Sequence, residues 1–137
     1  MLAKTLMTAG AAILLGLGVL HFAYTFGWPQ LAPRDPALKA TMSTVPLVLT
    51  RETTVWRAWL GFNASHSMGL ILFGLVYGYL GLLHDELLFK SPYMLLVGLA
   101  TVCGFVVLAK LFWFSVPFWS LCAALACYVA SIAVSRV

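Results

Sequence analysis

Residues 50–83 read TRETTVWRAWLGFNASHSMGLILFGLVYGYLGLL, and this stretch decides the fold. Beyond Arg57 it carries no charged side chain, and its small polar groups gather at Asn63, Ser65, His66 and Ser67. Thr50 is a competent N-cap, which would place Glu52 in a first turn where the helix dipole favours an acid. Read as one helix, these 34 residues extend about 50 Å, against a bilayer core of about 30 Å. One end must tilt or protrude, and Arg51, Glu52 and Arg57 mark it as the amino-terminal end. The membrane span is accordingly expected over residues 53–83.

Three further spans follow from the same reasoning. The first is expected over residues 6–27, ended by Trp28-Pro29, because Trp favours headgroup depth and Pro cannot continue helical hydrogen bonding. Its start resembles a signal peptide, with Lys4 ahead of an apolar run. That run is too long for an h-region and no A-x-A-like site closes it, so it reads as a retained span. Ser91-Pro92 supplies an N-cap and a first-turn proline for a third span over 92–114. Ser115-Val116-Pro117 repeats the device for a fourth over 117–134, so these two form a tight antiparallel hairpin. His84, Asp85, Glu86 and Lys90 mark a short solvated turn. Residues 28–49 form the one long loop, stiffened by Pro29, Pro33, Pro36 and Pro46, with a short interfacial helix expected over 36–42.

Composition agrees. The 137 residues are 63% hydrophobic and 9% charged, with a mean hydropathy of +1.01. Soluble domains carry roughly 25% charged residues, so so little charge cannot cover a surface in water. The expected fold class is all-α, a membrane-spanning four-helix bundle forming a single domain over 1–137, with the lipid bilayer as its first partner. The formal charge is +4, but no Lys/Arg run or basic helix face exists, which argues against a nucleic-acid partner. Cys103, Cys122 and Cys127 all lie in apolar stretches without a C-x-x-C pair, so they read as small packing residues with free thiols and no metal site is expected.

Charge gives little on orientation. Arg34, Lys39, Arg51, Arg57 and Lys110 fall on the long-loop side, and Lys4, Lys90 and Arg136 on the side of the termini. The positive-inside rule leans toward a cytoplasmic long loop, while Lys4 ahead of the first span leans the other way.

Polar side chains within spans are costly and point to function. If the spans alternate, His21, Asn63, His66, Ser67 and Lys110 share the leaflet beneath the long loop, and these five are the candidate ligand-binding residues. With His66 at zero and about 100° per residue, Asn63 and Gly81 fall near 60°, Gly74 near 80°, Ser67 near 100° and Gly78 near 120°. One stripe thus combines polar groups with the Gly74-x-x-x-Gly78 spacing that lets helix backbones approach closely. The plain alternatives are that the histidines only hydrogen-bond across helices, that Lys110 snorkels to the interface, and that the glycines only pack.

The block Trp56-Arg57-Ala58-Trp59-Leu60-Gly61-Phe62-Asn63-Ala64-Ser65-His66-Ser67-Met68-Gly69, continued by Ile71-Leu72-Phe73-Gly74, resembles a family of small, functionally uncharacterised bacterial integral membrane proteins. His21-Phe22 and the turn from Lys110 through Trp113-Phe114-Ser115-Val116-Pro117 are similar too. The resemblance covers nearly the whole chain. It implies four helices and a bacterial inner membrane, and it implies no reaction.

Three functions compete on these residues. The leading one is a ligand-binding or accessory-subunit module that associates, with a larger complex or as a homo-oligomer, through glycine-rich helix faces. The second is a redox protein in which His21 and His66 hold one b-type haem or a quinone. The third is an enzyme acting on a lipid or other apolar substrate, with His66 as acid or base, Asn63 orienting and Lys110 binding an anionic headgroup. Asp85 and Glu86 lie at the far face, so two-carboxylate hydrolysis is disfavoured.

Overall fold

A computed structural model describes residues 1–136. The elements run α1 (Leu2–Phe26), a 3-10 turn (Pro29–Leu31), α2 (Pro36–Thr44), α3 (Val55–Leu83), α4 (Asp85–Lys90), α5 (Pro92–Phe112) and α6 (Ser115–Ser135). Apart from one bridge between Pro46 and Thr54, every regular element among the described residues is helical. Helices α1, α3, α5 and α6 are each long and apolar enough to cross a membrane, and the chain is a multi-pass membrane protein. It divides into two compact units, residues 1–17 with 70–137 and residues 18–69, with α1 and α3 running through both.

The first unit is a four-helix bundle. Its core draws Met7, Ala11 and Leu14 from α1, Leu70, Phe73 and Tyr77 from α3, Leu95, Val102 and Ala109 from α5, and Leu121, Ala124 and Tyr128 from α6. The steps of three, four and seven residues place one narrow stripe of each helix inward, as in a coiled-coil seam. The remaining faces stay apolar and exposed, including Leu72, Leu96, Val107 and Trp119, as lipid-facing helices require. Lipid tails are as apolar as leucine, so close packing and internal hydrogen bonds, rather than water exclusion, hold such a bundle.

Two glycines show that closeness. A Cβ on Gly74 would lie 2.5 Å from Leu15 Cβ and 2.8 Å from the Ala11 carbonyl oxygen, so α1 and α3 meet almost backbone to backbone. Gly78 and Gly81 face Ala11 and Met7 in turn. The glycine stripe expected to serve association is therefore spent on α1, inside the unit. On α5, a Cβ on Gly98 would run into the Tyr128 hydroxyl of α6 and lie 2.6 Å from the Tyr77 ring. In the slot that Gly98 leaves, Tyr128 donates to Leu95 O at 3.0 Å, and Tyr77 of α3 donates to Met94 O at 2.7 Å.

At one end of this bundle Lys4 Nζ meets Asp85 Oδ1 at 3.1 Å, and a groove there is lined by both chain ends and α4. The four helices of the unit thus run up, down, up and down. Residues 85–90, expected as a bare turn, form α4, because Asp85 and Glu86 in its first turn and Lys90 in its last complement the helix dipole. Ser91 caps α5, its hydroxyl accepting from Met94 N at 3.3 Å. The matching device does not recur: α6 already includes Ser115, and its N-cap Phe114 has no side-chain bond. Only Trp113 and Phe114 connect α5 to α6.

The second unit comprises the end of α1, the long loop and the start of α3. Asp35 caps α2 by accepting from Ala37 N at 2.9 Å, with Pro36 in the first turn. The loop's return is fixed where Val55 N donates to Val45 O at 3.0 Å. That pairing holds residues 50–53 outside the helix. The cap of α3 is therefore Thr54, whose carbonyl accepts from Ala58 N at 3.0 Å and whose hydroxyl accepts from Arg57 N at 3.4 Å. Thr50, the expected cap, instead accepts from Glu52 N at 3.2 Å in a local turn. Glu52 consequently lies outside the first helical turn.

Candidate functional site

Within the second unit, Asn63 is the residue on which the polar groups converge. It is 5% exposed, and its Nδ2 donates to Trp59 O at 2.8 Å. With the amide nitrogen committed there, Oδ1 faces His21 Nε2 at 2.9 Å, so the imidazole must carry its proton on Nε2 and donate it. Thr25 donates to the His21 carbonyl and Ser67 to the Asn63 carbonyl, each at 2.8 Å. These back-bonds satisfy hydroxyls that hydrocarbon would otherwise strand.

His66 joins this group through its ring. The His21 and His66 imidazoles meet edge to face, with centroids 5.2 Å apart and planes at 64°. Standing so, they leave no slot for a porphyrin plane between them, and joint axial ligation of a haem would require α1 and α3 to part here.

Beside Asn63 lies a cavity of about 340 Å³, within the size range of small-molecule sites. Asn63, Thr25 and Leu60 line it, together with an aromatic wall of Tyr24, Phe26, Trp28, Trp56 and Trp59. The loop is fastened over this region by two contacts. Trp59 Nε1 donates to Leu31 O at 3.0 Å, and the Lys39 ammonium of α2 stands 5.1 Å from the centre of the Trp56 ring. The second is a cation–π arrangement that holds a charge at the aromatic face. Tyr24 and Trp28 meet edge to face at 5.9 Å, which extends the wall along α1 and the turn after it.

Of the five residues expected to form the site, His21, Asn63 and His66 come together, and Asn63 is the member that lines the cavity. Ser67 is fully buried with its hydroxyl spent on its own helix, so it supports Asn63 rather than facing a ligand. Lys110 belongs to the first unit, in the last turn of α5, where its ammonium lies 5.1 Å from the Phe118 ring. Sequence reading passed over Lys39, Trp56 and Trp59 as site residues. Their signal is the density of aromatic residues where the first span ends and the second begins, of which only Trp28 is read from sequence, as an interface residue.

No family model, curated protein or solved structure matches the chain.

Proposed function

We propose that this protein is a membrane-embedded ligand-binding module whose site is the aromatic-walled cavity of the second unit. The observation that carries this reading is Asn63, held by two hydrogen bonds on the wall of a cavity of about 340 Å³ that is otherwise largely aromatic. A mostly apolar concavity with a few fixed polar groups is the usual form of a small-molecule site. The expected attachment to other subunits through glycines has lost its main support, since Gly74, Gly78 and Gly81 pack on α1. The resemblance of residues 56–74 and the Lys110–Pro117 turn to small bacterial membrane proteins supports the bacterial inner membrane as its location.

The contact between His21 and His66 favours a second reading, a quinone hydrogen-bonded by the imidazole pair. Asn63 both bonds His21 and lines the cavity, so both readings share one test. The protein is purified in a mild neutral detergent and examined by native mass spectrometry beside Trp56→Ala and Asn63→Leu variants. A small molecule retained by the wild type and lost from both variants supports a binding module. A wild type that retains nothing, and whose tryptophan fluorescence responds to no added lipid or quinone, removes it.

A further inference from the structure

We infer that the cavity takes an anionic phosphate ester, the headgroup of a lipid or a soluble phosphate, with Lys39 as the residue that recognises its charge. This rests on the binding-module reading and names the ligand class of the same site. The only charged side chain lining the cavity is Lys39, and no carboxylate lines it. The Lys39 ammonium is already positioned over Trp56, yet among the described residues it forms no salt bridge. The Lys39 side chain is exposed, so its charge, ordered over the Trp56 ring and without a counter-ion, is open to an incoming anion.

The uncommitted hydrogen-bonding groups of the lining point the same way. Among the described residues, the indole N–H groups of Trp28 and Trp56 make no hydrogen bond, nor does the Tyr24 hydroxyl, whereas the Trp59 indole is engaged by Leu31. The Asn63 amide oxygen and the Thr25 hydroxyl proton are already in use. The protons that remain to offer a ligand are those of two indoles and the Tyr24 hydroxyl, beside one positive charge. A phosphate, with its several acceptor oxygens, fits that set.

The charge around the cavity is suited to it as well. Residues 18–69 carry Arg34, Lys39, Arg51 and Arg57 against Asp35 and Glu52, a net +2. Asp35 is spent on the cap of α2, and among the described residues no ion pair joins these groups. The first unit also carries a net +2, but there Asp85 and Glu86 are both paired with lysines and the excess falls on Lys110 and Arg136, away from this cavity. The excess positive charge of the second unit is thus open to an external anion. Trp28, at the end of α1, marks the depth where lipid headgroups lie, and Phe26, Leu31 and Leu60 give the cavity an apolar wall for the start of a chain.

The test uses the full chain in a neutral maltoside detergent, with three of its five tryptophans at the cavity as reporters. Dihexanoyl phosphatidylglycerol, dihexanoyl phosphatidylcholine, glycerol phosphate and a neutral benzoquinone are titrated separately. Phosphatidylglycerol is expected to shift the tryptophan emission saturably, and at least about tenfold more tightly than phosphatidylcholine. Lys39→Gln should weaken it at least about tenfold, and Lys39→Arg should keep most of the affinity. Glycerol phosphate binding as tightly as the lipid would make the source of the anion a soluble phosphate, and binding by the lipid alone would make it the membrane; either supports the assignment. Equal affinity for the two lipids, or no change in Lys39→Gln, overturns the anionic ligand while leaving a binding module standing. A response to the quinone alone does the same. No response to any of the four overturns both.

Discussion

His21 Nε2 and Asn63 Oδ1 stand 2.9 Å apart, joining α1 to α3 across 42 residues of sequence. Because the Asn63 amide nitrogen is committed to Trp59 O, neither partner can turn away without losing a second bond or a proton match. His21→Leu and Asn63→Leu should each lower stability in detergent, and the double variant should lose less than their sum. Such pairs in a membrane protein couple by about 0.6 kcal/mol on average and about 1.7 kcal/mol at most. Additive losses in a double-mutant cycle would show that the bond contributes nothing.

Gly98 and Tyr128 make a sharper steric prediction. Gly98→Ala puts a methyl group where the Tyr128 hydroxyl sits and close to the Tyr77 ring. Overpacking of this kind costs about 1–3 kcal/mol. Placing Gly98→Ala on a Tyr128→Phe background removes the clashing oxygen and should recover part of that loss. Thermal unfolding of the three variants measures it, and an unchanged midpoint for Gly98→Ala alone would contradict the tight slot.

The four spans were legible because apolar runs with few charges admit few other structures, and the expense of polar groups in hydrocarbon singled out His21, Asn63 and His66. Ser91 was readable as a cap because Pro92 follows it directly. Thr50 and Thr54 are equally good caps locally, and the choice between them rests on Val45 pairing with Val55, a contact made only once the loop has folded back. Lys39 over Trp56 escaped notice for the same reason. Gly98 looked like any other small residue, since its partner lies on another helix at Tyr128. Lys110 was grouped with the histidines by depth alone, and depth says nothing of which neighbours a side chain finds.

The Lys4–Asp85 pair gives a pH dependence of known sign. The hydrogen bond from the Lys4 ammonium holds the Asp85 carboxyl below its ordinary value of 3.8. Folding thus lowers this pKa, so the stabilisation is complete above the ordinary value and fades as the pH falls through the lower, folded one. Asp85→Asn should melt earlier than the wild type at neutral pH, and the gap should close in acid. Both side chains are partly exposed, so added salt should also narrow it. A gap that persists at pH 2–3 would assign the effect to something other than this ion pair.

Four spans alternating in direction also fix how the chain threads a bilayer. With Cys103, Cys122 and Cys127 replaced by serine or alanine, cysteine introduced at Ser43 should react with a membrane-impermeant reagent from one side only. Cysteine introduced at Ser135 should react only from the other. Labelling of both from the same side would remove one span from the count. Which side holds Ser43 also settles the orientation that the lysine and arginine counts left nearly balanced.

The connection between α5 and α6 consists of Trp113 and Phe114 alone. Those two residues span three Cα–Cα steps, at most about 10–11 Å, hardly more than the roughly 8–10 Å between two packed helix axes. Helices α5 and α6 can therefore part only slightly at this end, so they move as a hinged pair and not as independent spans.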